Sequence, residues 1–380
     1  MIVELDALNG MYEEWDRLAG SAGRPQMAPA WILAWWSHLA PADAVPRVAV
    51  VRDRGEVIGL APFFTVAARR GRVDYRLPGI ELVAGLSPLA TPGREWEVAE
   101  AIAGALAEAT PRPDLIALEG VPLASHWAVA LRDRWPAPVR PVLRQYHIYA
   151  CPTVALREES FDAWFAGRSA KFRSSMRRLR RRFEEVGGSS RMSTTETLQG
   201  DIATLMRLHS ARWEERGGES NLVAFGASMS AMLEDVGRRL LEEGRFRLWI
   251  AEVAGEPIGA DLYLAAGGQV LGINGGWSES WKTLSPPLLA TTRAIEDAFE
   301  RGDRRLDLGM GDQSHKVRFA DGNDPVGWSV LMVPSRRLPL TYARTFPTLA
   351  RSSLRETARR VLPAGRIDQL RALRSRLRRH

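Results

Sequence analysis

Asp312, Gln313, Ser314, His315, Lys316 and Arg318 crowd into one turn, directly after an apolar strand pattern that ends in Gly309-Met310-Gly311. An imidazole such as His315 takes up or releases a proton near neutral pH. The Asp312 carboxylate can receive a proton or orient the group that gives one. The Lys316 ammonium can hold a phosphate or a developing oxyanion. Glycines at 309 and 311 let the backbone turn sharply and approach a ligand closely. Each polar residue also has a purely structural reading. Asp312 is suited to cap a helix that starts near Gln313. His315 is one of six histidines, and Arg318 can pair with Asp321 or Asp324. Asp307 stands inside the apolar strand pattern. A carboxylate there is buried and needs a partner, so it is either an ion-pair residue or part of a site.

Composition sharpens the interest in Lys316. Lys171, Lys282 and Lys316 are the only lysines among 52 basic residues. A lysine retained in an arginine-rich chain is a candidate for chemistry that needs an ammonium able to lose its proton, which guanidinium does not do. At 380 residues the chain suits two domains of about 150–200 residues each. The hydrophobic fraction of 45% is that of a globular protein. The lone cysteine, Cys151, excludes an intrachain disulfide and a cysteine-rich metal site, so no metal is expected. The N-terminal residues lack a basic stretch followed by an apolar one, and no run approaches the ~20 apolar residues of a spanning helix. A cytoplasmic location is expected, with peripheral attachment to the inner membrane face as an option.

The elements that would position these residues alternate between strand and helix, which implies an α/β fold. Residues 47–66 read as two strands around a turn at Asp53–Gly55, and 245–277 as three strands with turns near Gly255 and Gly267–Gly268. The two regions share a phrase, Gly55-Glu56-Val57-Ile58-Gly59 and Gly255-Glu256-Pro257-Ile258-Gly259. Each half then runs on through a helix pattern (94–108 and 286–302) to a short strand (114–118 and 305–309). Shared grammar at domain-sized spacing points to a duplicated domain. Residues 158–188 read as helical, ended by Gly187-Gly188, and the run Lys171–Arg182 within them as a basic amphipathic helix. The expected organisation is 1–152, 153–335 and a basic tail, 336–380, that adds charge but little core.

The meander, the helix behind it and the strand ending in Gly-x-Gly resemble a GCN5-related N-acetyltransferase (GNAT) domain. The stretches FRSSMRRLRRRFEEVG, LDLGMGDQSHKVRFA and AEVAGEPIGADLYL are similar to the BioF2-like, cellulose-biosynthesis (CelD-type) acetyltransferases. In those proteins two GNAT-like halves share one chain, as in Fem-type peptidyltransferases. The resemblance implies two tandem halves, each a mixed, largely antiparallel sheet flanked by helices. It implies transfer of an acyl group, acetyl in the simplest case, from acyl-CoA to an amine in polysaccharide or cell-envelope synthesis. Lys316, Asp312 and His315 would then be catalytic. Ser285, Leu288, Leu289 and Gly309 would meet the coenzyme A, and Asp261, Asn274, Trp277, Lys171, Arg173 and Arg318 the acceptor or its phosphates. One departure stands out. The usual acyl-CoA loop is replaced by WKTLSPPLL (281–289), and Pro286 and Pro287 remove two N–H groups that would cradle a pyrophosphate.

Two other readings fit the same residues. One is a Fem-type transferase that takes its acyl group from aminoacyl-tRNA, with the basic run 171–183 on RNA. The other is a non-catalytic GNAT-fold partner of a polysaccharide synthase. The net charge of +7 is concentrated in that run and in the tail. The acceptor is expected to bear an amine and to be phosphorylated or a saccharide. The tail has no aromatic after Phe346, which disfavours base stacking and leaves an anionic membrane surface or disorder as its readings.

Overall fold

The computed structural model describes residues 2–3, 8, 10–66, 71–136, 138–215 and 220–361. The N-terminal half opens with β1 (Ile2–Val3), α1 (Tyr12–Ser21) and α2 (Pro29–His38). A long hairpin follows, β2 (Ala44–Asp53) and β3 (Glu56–Val66). Then come β4 (Asp74–Arg76), β5 (Leu89–Ala90), α3 (Glu95–Glu108), β6 (Leu115–Pro122), α4 (Trp127–Asp133) and β7 (Val142–Tyr149). The C-terminal half begins with β8 (Pro152–Ala155), α5 (Phe161–Gly167), α6 (Ala170–Glu185), β9 (Gly188–Met192), α7 (Leu198–Glu215), α8 (Asn221–Ala224) and α9 (Gly226–Leu240). Its meander is β10 (Phe246–Val253), β11 (Glu256–Ala266) and β12 (Gln269–Trp277). After it come α10 (Pro286–Glu300), β13 (Arg305–Asp307), α11 (Ser314–Val317) and β14 (Gly322–Asn323), then β15 (Val326–Met332) and α12 (Leu338–Val361).

The two sheets have the same strand order. The first runs β1-β2-β3-β4-β6-β15-β7, with β5 beside β3, and the second runs β9-β10-β11-β12-β13-β8-β14. In each, the fourth and fifth positions pair parallel and the flanking pairs are antiparallel. The duplicated hairpins agree residue for residue. Val51 faces Gly59 and Asp53 faces Glu56, as Ala251 faces Gly259 and Val253 faces Glu256, with a bulge at the same place in each. Both turns carry two consecutive residues at positive φ, Arg54-Gly55 and Ala254-Gly255, the backbone of a tight twisted hairpin.

One strand crosses between the halves. The sixth position of the first sheet is filled by β15, from the C-terminal part, whereas that of the second is filled by β8, the opening strand of its own half. Val326–Met332 was expected to belong with residues 153–335, and the sheet topology corrects this. Val330 and Met332 are buried on one face of β15, and Leu331 and Val333 in the main core. A strand that apolar on both sides belongs inside a sheet. The main core draws on both halves, from Trp15, Trp31, Leu60 and Phe63 to Leu205, Met232, Phe246 and Leu262.

Two other expectations change. The helix expected over 158–188 is two helices, because Ser160 and Ser169 each cap a new start, accepting from Ala163 N and Phe172 N at 3.2 Å. Part of the expected tail is core. In α12, Thr341, Thr345 and Leu349 are buried, and Leu349 packs with Leu115, Ala117, Val330 and Met332. Their spacing makes one helix face, which a count of charges does not reveal. Residues 362–380 of that tail lie outside the described residues.

The halves are pinned by a close backbone approach. Gly267, at φ +58°, leaves no room for a side chain: a Cβ there would lie 1.9 Å from the Gly20 carbonyl oxygen. Arg245 beside it binds Asp16 through both guanidinium nitrogens, at 2.7 and 2.8 Å. Gly267→Ala is therefore expected to lower stability by at least about 2 kcal/mol, read as the shift of a denaturant midpoint. A variant as stable as the parent would show that the halves do not depend on this contact.

Candidate active site

Strands β12 and β13 stay in register for only three residues: Gln269 with Arg305, Val270 with Leu306, Leu271 with Asp307. Beyond that β12 runs on to Trp277, while the other chain bends away at Gly309 and Gly311. The space between them opens into a cavity of about 900 Å³. Both glycines have positive φ, and a Cβ at Gly309 would stand 2.8 Å from the Gly272 carbonyl oxygen. The turn is held by Gly311 N donating to Ala150 O at 2.8 Å and by Gly309 N donating to Asp307 Oδ1 at 2.8 Å.

Lys316, on the single turn of α11, points back into this opening and donates to Met310 O at 3.0 Å. Burial lowers its ammonium pKa to about 8, although Asp307, Cys151 and Asp261 pull the other way. Asp261 projects from β11 over Gly275 on β12; a Cβ on Gly275 would touch its Oδ1. Burial pushes the Asp261 carboxyl well above its usual range, against the attraction of Arg212 and Lys316. Asp307 is raised for the same reason, with the Gly309 N–H opposing. One ammonium and two carboxylates thus share a desolvated space.

Helix α7 closes one side. His209, Arg212 and Trp213 all line the cavity, at the i, i+3, i+4 spacing of one helix face. His209 Nδ1 donates to Gly275 O at 3.0 Å. Burial lowers the pKa of the ring, and in the neutral ring Nε2 accepts from the Ser220 hydroxyl at 2.7 Å. The Arg212 guanidinium lies 5.5 Å from the centre of the Trp277 ring. The opposite wall comes from the N-terminal half and from β15: residues 80–85, Tyr146, His147, Tyr149 and Trp328. His147, Tyr149 and Trp328 form an edge-to-face cluster with centroids 4.0 and 4.9 Å apart. Cys151 also lines the cavity, and burial pushes its thiol up to about 12. It is not a thiolate nucleophile.

Of the residues expected at a site, Lys316, His315, Gly309, Asp261, Asn274 and Trp277 line this cavity. Others are elsewhere. Asp312 is exposed, and it does not cap α11, whose N-cap is Gln313. Arg318 is exposed and sits over the Phe172 ring at 5.8 Å. Its expected partners are taken: Asp321 lies 3.8 Å from Arg168, and Asp324 pairs with Arg305. Lys171 is exposed on α6. Arg173 donates to the carbonyls of Ala166 and Arg168 and so closes the end of α5. Ser285, Leu288 and Leu289 do not line the cavity; Leu288 and Leu289 pack inward instead. The whole α7 face and the aromatic wall escaped the sequence reading. The signal for α7 was the His209–Arg212–Trp213 spacing. No local pattern marks the wall, since it joins three distant segments.

The start of α10 is where a GNAT-like fold would hold a pyrophosphate. Ser285, at φ +44°, caps it without a side-chain bond. Pro286 and Pro287 have no N–H. Leu288 N and Leu289 N both donate to Ser285 O, at 2.8 and 3.4 Å, and Ser285 N to Lys282 O at 3.0 Å. No free backbone N–H remains from 285 to 289, so this turn does not fit a backbone phosphate cradle.

The low pKa of Lys316 has a signed consequence for stability. Between about 8 and the usual 10.5 the unfolded chain binds more protons at this residue than the folded one. Its contribution to stability therefore rises with pH across that window. Below it, the folded chain carries a costly half-buried charge. Lys316→Met is expected to stabilise the fold at pH 7 by on the order of 1 kcal/mol, allowing for screening by water in the cavity. The gain should shrink as the pH approaches 10. Chemical unfolding at both pH values checks this, and a destabilised variant at pH 7 would contradict it.

Comparison with known proteins agrees with this architecture. Residues 170–317 match the family described as acetyltransferase (GNAT) domain. No curated protein matches the sequence. Among solved structures, FemX is similar in fold, at 12% identity over 87% of this chain and 97% of that one, with a TM-score of 0.63. The C-terminal domain (DUF2156) of a putative lysylphosphatidylglycerol synthetase from Agrobacterium fabrum is similar at 10% identity, 89% and 96% coverage and a TM-score of 0.54. L-PGS from Bacillus licheniformis follows at 14% identity, 92% and 97% coverage and a TM-score of 0.50. Residues 170–317 thus match the acetyltransferase (GNAT) domain family, and the chain as a whole has a fold related to that of FemX.

Proposed function

We propose that the chain transfers an acyl group to an amine, and that the reaction takes place in the cavity where β12 and β13 part. The observation that carries this is the convergence of Lys316, Asp261 and Asp307 in one desolvated opening. Attack of a neutral amine on the acyl carbon forms the C–N bond and moves the carbonyl electron pair onto oxygen. The Lys316 ammonium meets that negative charge. Asp261 receives the proton of the attacking amine, and its raised basicity suits it to the task. The C–S or C–O bond to the donor then breaks, and the leaving anion takes up the proton that Asp261 received, which returns the carboxylate to its starting state. His315, Asn274 and Trp277 line the path of the acceptor, for which we propose a saccharide- or lipid-borne amine lying against the His147–Tyr149–Trp328 wall. Acceptance in polysaccharide or envelope synthesis rests on the sequence resemblance.

GNAT domains ordinarily draw on an acyl-CoA, and acetyl-CoA is the first donor to test. One observation favours a second reading. The α10 start has no free N–H for a pyrophosphate, as an enzyme that uses an aminoacyl ester in place of a coenzyme A thioester can afford. Calorimetric titration separates the two. We expect a dissociation constant for acetyl-CoA weaker than about 1 μM, tightened in Pro287→Gly by the restored donor. Tighter binding by the parent would refute the reading of the two prolines.

Lys316→Ala is expected to cut turnover on the order of a hundredfold, with Lys316→Arg recovering part of it. With the parent, the rate should fall as the pH rises through about 8, where the ammonium is lost. Lys316→Arg should lack that limb. A folded Lys316→Ala protein with unaltered transfer would remove the residue from the mechanism.

A further inference from the structure

The first turns of α12 are two-faced. Thr341 and Leu349 are 2% and 9% exposed and face the first sheet, while Leu340 and Phe346 are 48% and 53% exposed. Pro339, Tyr342, Ala343 and Pro347 are exposed as well. The Tyr342 and Phe346 rings stack on each other, 6.2 Å apart. The outer surface of this segment is thus an apolar stripe, and water is a poor solvent for it. It belongs to a strongly cationic stretch of the sequence. Arg336 and Arg337 precede it and are exposed. Across residues 336–380 there are thirteen arginines against two acids, Glu356 and Asp368.

Each occupant would leave a different mark. A second copy placed on this face by a two-fold axis would set the cationic segment against itself, at a repulsive cost. A nucleic acid would take the charge but leave Leu340 and Phe346 in water. An anionic bilayer takes both, since the apolar side chains sink to the acyl boundary while guanidinium groups remain among the phosphates. No helix of the described residues is long and apolar enough to cross a membrane, so the helix would lie along the surface. We propose that the outer face of α12, with Leu340, Tyr342 and Phe346 as its apolar contacts, docks the protein on an anionic lipid surface. The proposal does not depend on the acyl-transfer reading, because none of these residues lines the cavity.

Co-sedimentation of the full chain with vesicles tests it. One set contains equal parts of phosphatidylglycerol and phosphatidylcholine, the other phosphatidylcholine alone. Binding to the mixed vesicles is expected to exceed binding to neutral ones by at least about tenfold, and to weaken with added salt. The double variant Leu340→Ser/Phe346→Ser should bind the mixed vesicles about tenfold less or weaker, with an unchanged melting temperature because both side chains are exposed. Equal binding to the two vesicle types, or undiminished binding by the double variant, overturns the proposal. So does a parent that is a dimer in solution and a double variant that is a monomer, which would assign the face to a second copy. Binding of RNA in a filter assay with no binding to vesicles overturns it as well.

Discussion

Strands β12 and β13 part after three paired residues, and the rest of the site follows from that. The parting is fixed by a contact, the close approach of Gly309 to the Gly272 carbonyl, which brings the outgoing chain against β12 once and then turns it away. Asp307 is the last paired residue and holds the turn through the Gly309 N–H. The same turn sets α11 so that Lys316 reaches back to Met310 O. A side chain at 309 or a loss of the Asp307 bond would disturb the N-terminal approach to α11 and with it the ammonium, while the buried Phe319 and the Asp321 N–H to Thr153 O hold the far end. The carboxylate is spent on positioning the turn as much as on neutralising the lysine.

The crossing of β15 into the first sheet explains why the cavity has two walls. If β15 had stayed with the second sheet, Trp328 would stand away from His147 and Tyr149, and the aromatic wall would lack a member. Because β15 crosses back, it lines up beside β7, and the wall faces Asp261 and Asn274 across the opening. The shared core and the Arg245–Asp16 pair keep the walls at a fixed distance. A duplicated domain thereby makes a site that neither copy holds alone: one half carries the ionisable groups and the other mostly rings.

Legibility in the sequence followed the range of the interactions. The duplicated hairpins were readable because a tight turn and its bulge are set by adjacent residues, and Gly55 and Gly255 announce them. The duplicated arrangement followed from the same local grammar, and its GNAT-like character from the family resemblance. Lys316 stood out by its rarity and by the glycines before it. Asp261 showed itself as a charge alternating with apolar neighbours. What was not readable was anything set by long-range pairing. The destination of β15 is decided by which sheet lacks an apolar strand, and the role of α12 by which of its faces meets Leu115 and Met332. Asp312 and Arg318 look no different in sequence from their neighbours in the cavity, yet α11 turns them out to solvent. Arg173 sat in a run of arginines that suggested an anion, and its guanidinium is used by two carbonyls of the preceding helix.

The electrostatics of the opening and the start of α10 carry separate information. The Lys316–Asp261–Asp307 group speaks to the developing charge of any acyl transfer, whatever the leaving group, since an oxyanion forms with thioesters and esters alike. The turn at 285–289 speaks to the donor's handle, because a diphosphate needs convergent N–H groups and an ester-linked carrier does not. A proline at 286 alone would cost one donor and leave the next available. The second proline and the doubly used Ser285 carbonyl remove the remainder. The residues that would catalyse the step are thus independent of those that would select the donor. Either donor reading keeps Lys316 in place, and the choice between them rests on five residues at the head of one helix.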